Sequence, residues 1–338
     1  MIKKLWLIIK YVFFLGLGFF LIWWQFNKMT DLQRTQFYES LLHANYWLIM
    51  PIIIMSVLSH ISRAVRWKIL IEPLGYKPSI ENTFYSVMIG YLANTFLPRV
   101  GEILKCSSLA RYEKIPMNKL LGTILFERIF DLVCYFILII ITFLIQLNYI
   151  SAFVKQKFEL LANKTTGFES WVTLLIALLI VTMIIIIFWQ IFKKFAHHSS
   201  IIKIKNFYNG LREGLNTISN LKNRQWFLAH TIFIWAMYLM QVYVGFSALS
   251  PTAHLGITEA FSVLSLATLA MIVSPGGIGA FPLAVQEVLL IYKVDNISFG
   301  WLMWGISTAI IIVLGLVSFG LLVYKNKRMH EAKPADII

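Results

Sequence analysis

Three short stretches of this chain set polar, charged and helix-breaking residues inside otherwise apolar sequence. The first, Gly90-Tyr-Leu-Ala-Asn94-Thr-Phe-Leu-Pro98-Arg99-Val-Gly101-Glu102, places an amide, a proline and two opposite charges together. Pro98 disfavours helix at Leu97, and Gly101 lets backbone approach a partner closely. A helix that restarts there presents free N–H groups to an anion, and Arg99 beside it suits a phosphate. The alternative is an anchor, in which Arg99 and Glu102, three apart, pair on an interfacial helix. The second stretch, Ser274-Pro275-Gly276-Gly277-Ile278-Gly279, offers backbone amides with no basic side chain nearby. It reads as a gate, a backbone-lined polar site or a flexible turn between two helix arms, because so many glycines would weaken an ordinary helix. In the third, Glu127, Arg128 and Asp131 lie roughly one turn apart, with both acids on one face. They either contact a ligand or pin their helix against Arg63 or Arg66. His60, His197 and His198 have no carboxylate or cysteine at metal-ligand spacing, so neither a metal nor a cofactor is expected.

The elements that must carry these residues follow from composition. Of 338 residues 59% are hydrophobic and only 14% charged, with a mean hydropathy of +0.73, more apolar surface than a soluble domain can hide. Runs at 5–26, 171–192 and 301–324 reach the roughly 20 apolar residues that span a bilayer. Barrel strands need alternation, whereas Met183-Ile-Ile-Ile-Ile187 is apolar on every face. The expected fold is all-α, a polytopic integral membrane protein forming a single membrane domain over 1–338. The first run carries Lys3 and Lys4 but ends in Trp23-Trp24-Gln25 without a small-residue cleavage site, so it reads as a retained helix. Cys106 and Cys134 are too few and too scattered for a disulfide framework. The net charge of +14 sits in short stretches flanking apolar helices, which excludes nucleic acid and points to anionic lipid at the cytoplasmic face.

Basic residues cluster at 3–10, 63–77, 99–119, 193–224 and 325–333, whereas 251–256 has none. The positive-inside rule makes those five stretches, and both termini, cytoplasmic. Helices 5–26, 46–61, 117–147, 171–192, 226–249 and 301–324 then cross. Segment 80–97 has both ends inside and must turn back near Pro98. Arms 257–273 and 281–291 have both ends outside, with the break at Pro275-Gly276-Gly277. Each half, 5–147 and 171–324, thus reads as three crossing helices plus a re-entrant hairpin, the two halves inverted, with a tail at 325–338. The competing reading makes each hairpin arm a full crossing. Segments 31–47 and 201–221 read as amphipathic helices lying on the membrane.

Several of these pieces recur together in one family. Arg63-Ala-Val-Arg66-Trp67, the stretch from Asn94 to Glu102, Leu125-Phe126-Glu127-Arg128-Ile-Phe-Asp131 and Pro275-Gly-Gly-Ile-Gly279 resemble, in order and spacing, the lysylphosphatidylglycerol synthase transmembrane family, also called flippase-like proteins. The resemblance runs from about Leu5 to Tyr324. It implies a multi-pass protein of the bacterial inner membrane that moves or handles lipid head groups, here a stand-alone module without the aminoacyl-transferase domain of fused members. Members often carry an acid directly after the stretch matching 278–281; here Pro282 stands there and Glu287 is the next acid, so the resemblance carries no role over to Glu287.

The expected function is a flippase-like transporter for a phosphate-bearing lipid or lipid-linked head group. Its binding residues are Asn94, Arg99, Glu102, Glu127, Arg128, Asp131, Pro275, Gly276, Gly277 and Gly279, supported by Arg63 and Arg66, with no catalytic residue. The alternatives are a membrane-embedded lipid-modifying transferase using Glu127 or Asp131 as base, and a non-transporting partner of a cell-envelope enzyme. A homo-oligomer is left open.

Overall fold

The structure, a computed structural model, describes residues 16–97, 100–147 and 221–331. All regular elements among them are helical: α1 (16–28), α2 (Asp31–Leu42), α3 (Ile49–Ile71), α4 (Ile80–Phe96), α5 (Val100–Glu113), α6 (Met117–Ile145), α7 (Arg224–Phe246), α8 (Ile257–Val273), α9 (Ala280–Ile291) and α10 (Ser298–Glu331). Among the described residues, four segments are long and apolar enough to cross a membrane: Tyr46–Leu74, Met117–Ile145, Arg224–Phe246 and Ser298–Lys325. The chain divides into two compact units, 1–128 with 220–338, and 129–219.

In the first unit α3 carries its polar groups inward. On α3, Ser56, Ser59, His60, Ser62 and Arg66 are buried, while Met50, Ile54, Leu58 and Ile61 recur at helical spacing on the exposed side. This reverses the amphipathicity of a water-soluble helix and matches a protein solvated by hydrocarbon. The buried faces meet in a core of Ala64, Trp67, Ile71, Val87, Cys106, Leu109, Leu120 and Ile124. In the second unit, the described stretch of α6 exposes Phe136, Ile140, Phe143 and Leu144.

Two pairs of helices matter most. Along α4 and α5, Glu113 accepts from Ser79 Oγ at 2.9 Å and Asn82 Nδ2 at 2.7 Å, Ser86 meets Ser108 at 3.3 Å, and Gly90 packs on Lys105. Partner numbers fall on one helix as they rise on the other, so the pair is antiparallel and its two outer ends lie together. The α8–α9 pair is built likewise, with the Ser262 and Tyr292 hydroxyls 2.8 Å apart at its outer ends and Met271 against Gly277 at its break. One end of the unit gathers Glu72 with Asn223 and Glu81 with Lys325. The other gathers Asn45 with Ala248, Gln33 with Asp295 and Ser40 with Asn296. The outer ends of α4–α5 belong to the first end, and those of α8–α9 to the second.

Several expected boundaries move. The second helix does not stop at residue 61; it continues to Ile71, so Arg63 and Arg66 lie within it. A charged pair read as a membrane exit is instead accommodated by partners on other helices. Segment 31–47 is not one amphipathic helix: α2 ends at Leu42, a 3-10 turn follows at Tyr46–Leu48, and only Phe37 of α2 is buried while Leu32, Tyr38 and Leu42 are exposed. The helix expected at 226–249 starts at Arg224 and ends at Phe246, and the one expected at 301–324 starts at Ser298 and runs on to Glu331. The expected crossing at 171–192 and all but the last residue of the surface helix at 201–221 lie outside the described residues.

Candidate functional site

The charged residues of the first unit converge on Glu127. Its Oε1 accepts from Arg66 at 3.1 Å and its Oε2 from Lys105 Nζ at 2.8 Å, with all three side chains buried. Arg66 also donates to Thr231 Oγ1 of α7 at 3.3 Å and lies 5.7 Å from the Phe227 ring. The Lys105 ammonium sits 4.1 Å from the ring centre of Trp67, whose indole N–H donates to Thr123 at 2.9 Å. Four helices are thereby tied through one carboxylate. Isolated, such charges would be very costly in an apolar interior; paired and hydrogen-bonded, they hold a fixed register. Of the expected alternatives for Glu127, the pin against Arg66 is the one with visible contacts. Asp131 belongs to the second unit, one turn further along α6.

Beside this network, Arg63 donates through Nε to the Tyr238 hydroxyl at 2.8 Å, and its guanidinium lies 5.7 Å from the Tyr91 ring and 5.5 Å from that of Tyr238. Ser62 meets His230 Nδ1 at 2.8 Å, and the buried His60 ring lies 5.3 Å from Tyr91.

The first break is organised by side chains. Asn94 Oδ1 accepts from the Gly101 amide at 2.8 Å, satisfying a free N–H where α5 begins, and Asn94 Nδ2 donates to Glu102 Oε1 at 3.3 Å. The same oxygen accepts from Arg128 at 2.8 Å. Glu102 Oε2 is buried with no hydrogen-bond partner among the described residues. Gly101 is required by packing, since a Cβ there would collide with the Gly90 carbonyl and with Asn94. Pro98 and Arg99 lie outside the described residues.

The second break is organised by backbone. Gly276, Gly277 and Gly279 all have positive φ, at 59°, 67° and 68°, the left-handed region that side chains resist. A Cβ on Gly276 would sit 2.8 Å from the Thr95 carbonyl oxygen, and one on Gly279 2.7 Å from that of Gly18. The carbonyl of Gly276 accepts from Trp304 Nε1 at 2.8 Å. The two breaks therefore touch, α4 next to the turn that follows α8.

Of the residues singled out by sequence, Asn94, Glu102 and Arg128 come together at one break, and Glu127 joins Arg66 nearby. Gly276, Gly277 and Gly279 form the other break, with Pro275 in the same 3-10 turn. Sequence reasoning missed Lys105, Thr231 and Tyr238. Lys105 stands three residues after Glu102 and was counted only within the basic stretch 99–119; Thr231 and Tyr238 carried no signal.

A family model described as the lysylphosphatidylglycerol synthase TM region matches residues 7–315. The chain is also similar to a UPF0104 membrane protein of Methanocaldococcus jannaschii, 23% identical over 266 residues, covering 72% of this chain and 74% of that protein. No solved structure matches.

Proposed function

We propose a function from one premise, that the chain belongs to the lysylphosphatidylglycerol synthase transmembrane family: it carries a phosphate-bearing lipid head group across the bacterial cytoplasmic membrane. The observation that supports this reading best is the contact between the two helix breaks, where Thr95 meets Gly276. We take α4–α5 and α8–α9 as re-entrant hairpins entering from opposite faces, within two inverted halves whose termini are cytoplasmic. Irregular backbone at membrane depth is tolerated only where protein or a polar cavity covers it, and transporters place their binding sites where such broken helices meet.

In this reading the cationic groups on α3, α5 and α6 balance a head-group phosphate, and Arg99 binds it with two parallel donors. Glu102 Oε2, buried without a partner among the described residues, and the Asn94–Gly101 cap shape the entrance to the break. A transferase using Glu127 as general base is less favoured, because both its oxygens already accept from cations.

The test is reconstitution into liposomes with a panel of head-group-labelled lipids, the label in the outer leaflet being destroyed by a membrane-impermeant reductant. Lipid-selective loss of more signal than protein-free vesicles show supports the reading, with Arg99→Lys reducing it in well-expressed protein. Loss equal to that of empty vesicles for every lipid refutes it.

A further inference from the structure

A second polar site lies at the other end of the first unit from the outer ends of α4–α5, apart from the charged network. A cavity of about 190 Å³ sits between the end of α1, the start of α2, the end of α9 and the start of α10. At about 30 Å³ per water it has room for roughly six waters, the size of one small polar group.

The lining is unusual for its amides: Gln25, Gln33, Gln36, Gln286 and Asn296 all contribute. Gln25 is 95% buried, donates to Gln286 Oε1 at 3.2 Å, and leaves its own Oε1 buried without a partner among the described residues. A buried amide oxygen without a donor costs stability unless something supplies one, and Gln25 is part of the cavity wall. Gln33 donates to Asp295 at 2.9 Å while accepting from the Thr30 amide at 3.1 Å, which fixes the carboxylate at the rim.

The charges discriminate among ligands. Two carboxylates, Glu287 and Asp295, line the cavity against one cation, Lys28, so a phosphate is repelled. An organic ammonium is disfavoured too, because the Trp24 ring that would receive it already has the Lys28 ammonium 4.4 Å from its centre. Hydroxyl groups fit both facts. Each donates to an amide or carboxylate oxygen and accepts from an amide N–H, and a ligand rich in hydroxyls uses an amide-lined wall fully.

We propose that this cavity binds a neutral polyhydroxylated group, a sugar ring, presented either on a lipid or free in solution. The site stands apart from the proposed transport path and goes beyond that reading. Full-length protein purified in detergent would be titrated with monoglucosyl diacylglycerol, with methyl glucoside and with phosphatidylglycerol, following the thermal unfolding midpoint. Saturable stabilisation by the glucolipid alone identifies a lipid-borne sugar, and by the glucoside as well identifies the sugar itself. In either case Gln25→Leu should weaken binding tenfold or more. Asp295→Asn, at an exposed position that folding tolerates, should weaken it severalfold. Both variants should leave lipid movement in liposomes unchanged. No saturable response to either sugar probe, a response undiminished in both variants, or phosphatidylglycerol matching the glucolipid and weakened by the same substitutions, would overturn the proposal.

Discussion

The two breaks in this membrane fold reach the same contact by opposite means. At the first, side chains do the organising: Asn94 caps the Gly101 amide, Glu102 binds Arg128, and the buried pin of Glu127 with Arg66 and Lys105 stands behind it. At the second, backbone does it, through three glycines with positive φ and the indole of Trp304 on a carbonyl. A break held by polar side chains can present charge to a ligand. A break made of glycine can approach a neighbouring backbone more closely than any other residue allows. The pairing therefore gives one half of the contact its chemistry and the other its shape.

The largest effect should come from the pin. Glu127→Gln leaves Arg66 and Lys105 buried without their shared countercharge, which costs about 3–5 kcal/mol when one partner of a buried pair is lost. The expected outcome is aggregated or poorly inserted protein on size-exclusion chromatography. Replacing Lys105 by methionine in the same chain should recover much of the monodisperse fraction.

Next comes a comparison within the glycine break. Gly276→Ala and Gly277→Ala carry the same left-handed strain of about 1–2 kcal/mol. Only the first also drives a Cβ into the Thr95 backbone, whereas the second meets the flexible Met271 side chain. Gly276→Ala should therefore lower the unfolding midpoint more and abolish lipid movement, while Gly277→Ala keeps part of it. Equal effects would mean that the contact between the breaks contributes nothing. A smaller loss, about 1 kcal/mol, is expected for Asn94→Ala, which removes a helix cap and one partner of Glu102. Thermal unfolding in detergent resolves it.

Glu81→Gln should change the midpoint least, by less than about 0.5 kcal/mol, since the Glu81–Lys325 pair at 2.9 Å is largely exposed. It provides the control against which the other substitutions are read.

How much of this was legible in the sequence depended on whether the deciding interaction was local. The breaks were, because proline and glycine act on their own backbone: 80–97 and 257–273 agree with α4 and α8 to within a residue. The length of α3 was not, because Arg63 and Arg66 look like a membrane exit until Glu127, 61 residues on from Arg66, is seen to receive one of them. Lys105 was overlooked for the same reason. The amide-lined cavity was invisible, since Gln25 and Gln286 stand 261 positions apart and neither is unusual alone.

The central claim is that the two hairpins enter from opposite faces of the membrane and meet at their breaks, and side-specific cysteine labelling tests it most directly. In a chain freed of Cys106 and Cys134, single cysteines at Lys77 and Arg111 would mark the two outer ends of α4–α5, and at His254 and Asp295 those of α8–α9. An impermeant maleimide should reach the first two only from the cytoplasmic side and the last two only from outside. Labelling of the α4–α5 ends and the α8–α9 ends from the same side of the membrane would contradict the claim.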